Sequence, residues 1–356
     1  MKNIYPSYYK KFRCVADKCP DTCCAGWEVV IDPPSERRYR AESASIGDKL
    51  RDVLTVDEDG DTVFRSEGGR CPFLLGSGLC ELYCGLCELY CELGERALCR
   101  TCERFPRFEC VLGSRREAGL SLSCPEAARL IFETEEPTEF VIEETDEPAE
   151  PNSIDPTVYF ILSKAQKTAI DILSDRKISV AQRVKNFLLL CADTQAEISG
   201  GSPERAEEPK NKMRSARGSA LKYFADLRSL ERLDPEWERS LSAGKAGTFK
   251  ISPEAECEYE KLLIYLVFRY FMVAAFDGKI LIKAKLFAAE FIAAVRIQTG
   301  LDCATKSERT AVLQKFSKEV EHSEINLDRL CALASRSRRY SLTNLINILE
   351  LQEKAK

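Results

Sequence analysis

A chain of 356 residues is long enough for two domains and a substantial buried core. Its net charge of −5 argues against a nucleic-acid binder, which would carry a basic face. Cysteine is abundant, at 17, and His322 is the lone histidine, so imidazole-based zinc hydrolases, Ser-His-Asp triads and Cys-His proteases are poorly supported.

The opening stretch, MKNIYPSYYKKFRC, lacks the apolar core of a signal peptide. The most apolar run, Leu262 to Phe276, is too short to span a bilayer and contains Arg269. A cytoplasmic protein without membrane contact is expected. Trp27 to Asp32 reads as a short strand, and Ser35 to Leu50 as a helix opening after Pro33-Pro34. Asp57 to Asp61 reads as a turn.

Thirteen of the cysteines precede residue 125. In a reducing compartment that density means metal or redox chemistry rather than disulfides. The pattern runs Cys14-x4-Cys19-x3-Cys23-Cys24, then Cys71-Pro, Cys80, Cys99-x2-Cys102 and Cys124-Pro. A seven-residue tandem, Cys80-Glu-Leu-Tyr-Cys84 followed by Cys87-Glu-Leu-Tyr-Cys91, would line four thiols along one helix face. Thiolates are soft ligands, and with no imidazole nearby they favour iron–sulfur over zinc. Adjacent Cys23 and Cys24 diverge, which suits a multi-iron cluster or two neighbouring sites better than one zinc ion. Cys80-x3-Cys84-x2-Cys87 meets a radical-enzyme spacing, but it arises across the repeat junction and lacks the alternating strands and helices of a partial barrel.

Between Glu133 and Glu150 there are acids and no base, which reads as a solvated linker with room for one edge strand at Glu139 to Ile142. Helical periodicity follows. Tyr159, Leu162, Ala165 and Ala169 share one face, and Val184, Phe187, Leu188 and Cys191 another. Ser199 to Ser219 reads as a mobile loop. Helices are expected again over 220–233, 254–276, 279–299, 306–321 and 326–352. Cys191, Cys257, Cys303 and Cys331 read as small buried residues, and Cys110 as structural. Arg269 needs a partner among its apolar neighbours, for which Glu260 or Asp277 would serve. The fold expected is mainly α: an irregular cysteine-rich metal-cluster domain (1–132), an acidic linker (133–155), and an all-helical C-terminal domain (156–356).

Several of these motifs together resemble the flagellin lysine-N-methylase family. They are Tyr5-Pro-x2-Tyr8, Phe12-Arg-Cys14, Cys19-x3-Cys23-Cys24-x-Gly26-Trp27, Cys71-Pro-Phe-Leu74, Gly78-Leu-Cys80, Leu93-Gly-Glu95-x2-Leu98-Cys99-x-Thr101-Cys102, Phe105-Pro-Arg107 and Leu120-Ser-Leu-Ser-Cys124. In the helical half, Tyr265 to Gly278 and Glu319 to Asn326 are similar too. The first part also resembles smaller CxxxCC zinc/iron-chelating domains. The resemblance implies methyl transfer from S-adenosylmethionine to lysine side chains of flagellin, with a [4Fe–4S] cluster involved. Its ligand candidates are Cys14, Cys19, Cys23, Cys24, Cys71, Cys80, Cys99, Cys102 and Cys124, with Cys87 able to replace Cys80 because of the repeat. A cluster iron would orient the methyl donor through its amino and carboxylate groups. Arg104 and Arg107 are candidates for pairing a cofactor carboxylate, and Trp27 for stacking on its adenine. The catalytic base is left open among Tyr, Asp, Glu and water. The competing expectation is a non-catalytic iron–sulfur or zinc-binding carrier or scaffold.

Overall fold

A computed structural model describes residues 1–15, 18–23, 29–43, 45–57, 60–65, 70–74, 98–206 and 212–353. The chain is mainly helical with a small sheet. The first half contains strand β1 (Lys2–Pro6), helices α1 (Pro33–Ala41) and α2 (Ser45–Val53), and the hairpin β2 (Leu54–Val56) and β3 (Thr62–Phe64). The short helix α3 (Arg100–Arg104), strands β4 (Arg107–Leu112) and β5 (Arg115–Leu120), helix α4 (Pro125–Phe132) and strand β6 (Phe140–Glu144) follow.

The main sheet has the order β4-β5-β1-β6. β4 and β5 form a tight hairpin, with Gly113 at a φ of 66° supplying the positive dihedral such a turn needs. β1 runs parallel to β5 and pairs antiparallel with β6. This part is thus more regular than the weak local signals predict. The acidic stretch supplies β6 as an edge strand. Its charges meet bases elsewhere: Glu143 pairs with Lys10 at 2.6 Å, and Glu147 and Glu150 pair with Arg116 at 2.7 and 3.4 Å. Phe108, Cys110 and Leu112 alternate onto the face that packs against the helices.

The expected helix over Ser35 to Leu50 is split into α1 and α2. Asp32 caps α1 by accepting from the Ser35 amide at 3.0 Å, and Pro33 and Pro34 occupy the first turn. The strand expected at Trp27 to Asp32 is reduced, in its described part, to a bridge between Val30 and Val63.

Among the described residues, every regular element after residue 155 is helical. These are α5 (Pro156–Leu173), α6 (Val180–Ser199), α7 (Lys212–Arg228), α8 (Trp237–Ala246), α9 (Glu256–Tyr270), the single turn α10 (Ala274–Asp277), α11 (Ile280–Gly300), α12 (Lys306–Glu321), α13 (Glu324–Arg336) and α14 (Leu342–Glu353). Asp155, Ser179, Thr305 and Ser323 cap their helices, Thr305 with Glu308 in a full capping box. α6 ends on Gly200 in the left-handed region. Within the expected 199–219 loop, α7 already starts at Lys212, and residues 207–211 lie outside the described residues.

Two long helices, α9 and α11, are buried along most of their length. Glu258 and Glu260 of α9 are paired with arginines of neighbouring helices. Arg183 meets Glu260 at 2.8 Å and the carbonyls of Leu173 and Ile178, and Arg309 makes two 2.7 and 2.7 Å bonds to Glu258. Helix α8, which the sequence pattern does not predict, crosses α11 at close range. A Cβ on Gly300 would lie 2.0 Å from the Ala243 carbonyl oxygen, and one on Gly244 2.3 Å from the Phe224 ring. Arg296 then seals the end of α8 by donating to the carbonyls of Gly244 and Lys245 at 3.1 and 3.0 Å.

That crossing predicts the effect of one methyl group. Gly300→Ala sets a side chain against backbone, which cannot turn aside, so it should destabilise the fold by about 1–3 kcal/mol. Chemical unfolding midpoints would measure this; an unchanged midpoint would mean that α8 and α11 do not approach so closely.

Candidate functional site

Tyr265 and Arg269 lie one turn apart on α9 and face the loop between β5 and α4. The Tyr265 hydroxyl accepts from the Leu122 amide at 3.2 Å and from Arg269 Nη1 at 2.8 Å, and donates to Glu321 at 2.8 Å. Tyr270 donates to the same Glu321 oxygen at 2.7 Å. Arg269 therefore pairs with Glu321, at 3.5 Å, and not with the expected Glu260 or Asp277. Glu260 is occupied by Arg176 and Arg183, and Asp277 by Lys283. Burial, with Glu321 beside it, raises the nearby Glu290 carboxyl well above its ordinary value.

Where this knot meets α3 and β4 there is a cavity of about 390 Å³. Arg100, Arg104, Arg107 and Arg269 line it, with Asp32 and His322. Phe105 and Phe108 give it apolar walls. Arg104 reaches Glu109 only at 3.7 Å, while the Arg107 guanidinium lies over the Phe12 ring at 5.1 Å. Asp32 serves two helix starts at once: one carboxylate oxygen accepts from the Ser35 amide of α1, the other from the Arg100 amide of α3 at 2.8 Å. Burial raises its carboxyl, but the Arg100 amide, the Ser35 hydroxyl and the Ser35 amide outweigh burial and hold it below the usual carboxylate value.

The described thiols form two neighbourhoods. In the first, Cys19 feels Cys14 and Cys23, and Cys124 feels Cys19 and Cys23. Helix α12 binds the loop that carries them. Lys318 holds the Asp21 carboxylate at 2.8 Å, and Gln314 bridges Asp21 at 3.1 Å and the Ser123 carbonyl at 2.6 Å. Burial pushes the Cys19 thiol up and the Cys124 thiol up to about 12. A second cavity, of about 890 Å³, borders this group between Lys18, Pro125 and α12. In the other neighbourhood Cys99, Cys102 and Cys71 pack with Tyr39 and Phe73. A hydrogen bond from Cys102 lowers the Cys99 thiol against the opposing effect of burial.

The guanidinium pocket lies between the two neighbourhoods. Arg100 and Arg104 belong to the helix that holds Cys102, and Phe105 packs against Cys124. The donor set is all sulfur and fits an iron–sulfur group in kind. Among the described residues, however, no group of three or more Cys, His, Asp and Glu side chains is arranged to hold a metal ion. The sulfurs are neighbours rather than a closed chelate.

Of the residues singled out in the sequence, Arg104 and Arg107 meet in one pocket. Cys14, Cys19, Cys23 and Cys124 gather, as do Cys71, Cys99 and Cys102. Cys24, Cys80, Cys87 and Trp27, together with the tandem repeat, lie outside the described residues. Cys110 and Cys191 are buried, whereas Cys257, Cys303 and Cys331 are only partly so. The sequence reading set His322 aside as a lone residue, yet it stands in the pocket wall with its ring 5.5 Å from Phe105. It also passed over Asp32 and Arg100. The Asp-Pro-Pro run was a helix-cap signal that would have drawn attention to Asp32.

Residues 221–348 match the family described as FliB lysine N-methylase C-terminal domain, a span that includes Arg269 and His322 and none of the thiols before residue 125. The chain is similar to the flagellar biosynthetic protein FliU of Salmonella muenchen, 30% identical over 133 residues, which cover 36% of this chain and 75% of that protein. It is also similar to the lysine-N-methylase of Salmonella typhimurium, at 28% over 139 residues. That match covers 36% of this chain and 31% of the relative, as does a 28% match to the Salmonella choleraesuis lysine-N-methylase. No solved structure matches.

His322 makes the pocket measurable. Burial foremost, then Arg269 and Lys318, lower its pKa from 6.5 to about 4, so it is neutral at physiological pH. The unfolded chain binds a proton there below pH 6.5 that the folded chain refuses until about 4. Its contribution to stability is therefore flat above pH 6.5 and falls by roughly 3 kcal/mol as the pH drops through that window. As the lone histidine it gives a single imidazole resonance, whose NMR titration midpoint should lie near 4; a midpoint at 6 or above would place the ring in water.

Proposed function

The chain belongs to the flagellin lysine-N-methylase family, and we propose from that premise that it transfers a methyl group from S-adenosylmethionine to lysine side chains of flagellin, with a [4Fe–4S] cluster involved. The observation that supports this most is a pocket of about 390 Å³, rich in guanidinium groups, between two groups of thiols. Both halves of the chain line it: Arg104 and Arg107 come from the first, Arg269 and His322 from the second.

In the proposed reaction the lysine nitrogen attacks the methyl carbon of the sulfonium. The C–N bond forms as the S–C bond breaks, and the thioether leaves with the electron pair. The ammonium form has no lone pair, so its proton must leave first, to solvent or a carboxylate. Arg104 and Arg107 are assigned to the donor's carboxylate, whose planar geometry suits a guanidinium fork. Phe105 and Phe108 keep that wall dry, which favours collapse of the sulfonium charge. Cys14, Cys19, Cys23 and Cys124 are the first choice to hold the cluster, and Cys71, Cys99 and Cys102 the second. Bound there, it would supply iron as a Lewis acid beside the pocket.

Anaerobically purified protein, incubated with methyl-labelled S-adenosylmethionine and flagellin, should place label on lysine. It should also contain iron and acid-labile sulfide, and Cys124→Ser or Cys19→Ser should lose both along with visible absorbance. Protein that holds iron and sulfide but never labels lysine would instead be a carrier, and colourless protein holding zinc a scaffold.

A further inference from the structure

The wall of the guanidinium pocket carries both signs of charge. Of its four guanidiniums, Arg269 is engaged by Glu321 and two tyrosines, and Arg104 has a distant partner in Glu109. Arg100 and Arg107, at the exposed rim, have no carboxylate partner among the described residues. Asp32 stands in the same wall as a fixed carboxylate. Its oxygens accept the Ser35 and Arg100 amides and the Ser35 hydroxyl, and a carboxylate's four lone-pair sites leave room for one further donor. His322 adds no charge, because burial keeps it neutral near pH 7.

This combination selects a ligand class. A simple anion would be drawn by the arginines but repelled by Asp32, and a simple cation the reverse. A molecule with a carboxylate and an ammonium on one carbon satisfies both, and its apolar stem would lie on Phe105 and Phe108. The volume of about 390 Å³ lies within the range of small-molecule sites.

We propose that this pocket binds the α-amino-acid end of the methyl donor, with its carboxylate on Arg104 and Arg107, assisted by Arg100, and its ammonium on Asp32. The inference rests on the methyltransferase reading and deepens it. It transfers to protein side chains the anchoring that the sequence reading gave to iron.

The test is calorimetric, on the intact chain with its metal centre. Three probes are used: S-adenosylhomocysteine, its decarboxylated counterpart, and 5′-methylthioadenosine, which lacks the amino-acid end. S-Adenosylhomocysteine should bind at least ~100-fold tighter than methylthioadenosine, and loss of the carboxylate alone should cost ~10-fold or more. Arg107→Ala should weaken S-adenosylhomocysteine ~10-fold or more and leave methylthioadenosine unchanged. Asp32→Asn, which keeps an acceptor for one of the two helix starts and removes the charge, should also weaken S-adenosylhomocysteine ~10-fold or more and leave methylthioadenosine unchanged. Equal affinity for all three probes in the unaltered protein would overturn the inference even if either variant failed to fold. Binding of S-adenosylhomocysteine that ignores both substitutions but disappears when iron is removed would overturn it as well, leaving the methyltransferase reading in place. Failure to bind any of the three probes would sink that reading and the inference together.

Discussion

The Tyr265 hydroxyl is a buried junction between the two halves of this protein. Its three hydrogen bonds connect a backbone amide between β5 and α4, a guanidinium on its own helix, and a carboxylate at the end of α12. The bonds to Leu122 and Glu321 are buried and the one to Arg269 partly so, in a medium where an unmade bond would be costly. Arg269 is the only cation among these partners, and it faces Glu321 beside a Glu290 that burial drives toward its neutral form. Without the guanidinium, two acidic groups would share a dry space. The knot therefore fixes the registry of Leu122 on the helices, and with it the position of Cys124 two residues later.

The two cavities follow from that registry but differ electrically. Most of the charges that line the larger one are paired: Asp21 with Lys318, Asp234 with Lys315, and Glu126 with Arg129. Paired surface charges project little net field. In the smaller one Arg100 and Arg107 keep their charge unspent, and Asp32 is anionic because two helix N-termini hold it so. Field strength, rather than size, marks the smaller cavity as the polar recognition site.

Much of the helical half was legible because its signals are local. Thr305 with Glu308, and Pro156 after Asp155, announce helix starts regardless of what the helix later packs on. Helix α8 was not legible: Gly244 lowers its propensity, and the reason for that glycine is the Phe224 ring and Ile297, which only the folded chain brings near. β1 was missed for a similar reason, since a short strand ending in proline gains its stability from β5 and β6 far along the chain. The cysteines were legible as a group because composition alone betrays them. Their division into two neighbourhoods was not, being decided by whether a thiol packs beside Phe73 or Phe12.

Arg269 and His322 show why the site itself was only half visible. Both lie on the helical half, hundreds of residues from Cys14, and both look unremarkable by type: an arginine in an apolar helix and a histidine at a helix end. What gives them meaning is a shared wall with Arg104 and Phe105, reached only once Tyr265 has grasped Leu122. A guanidinium carried on a buried helix can face a cavity only if its charge is balanced from behind, and Glu321 provides that balance. The pocket thus lies at the seam between the halves: the first supplies most of its wall, and Arg269 and His322 of the second close it.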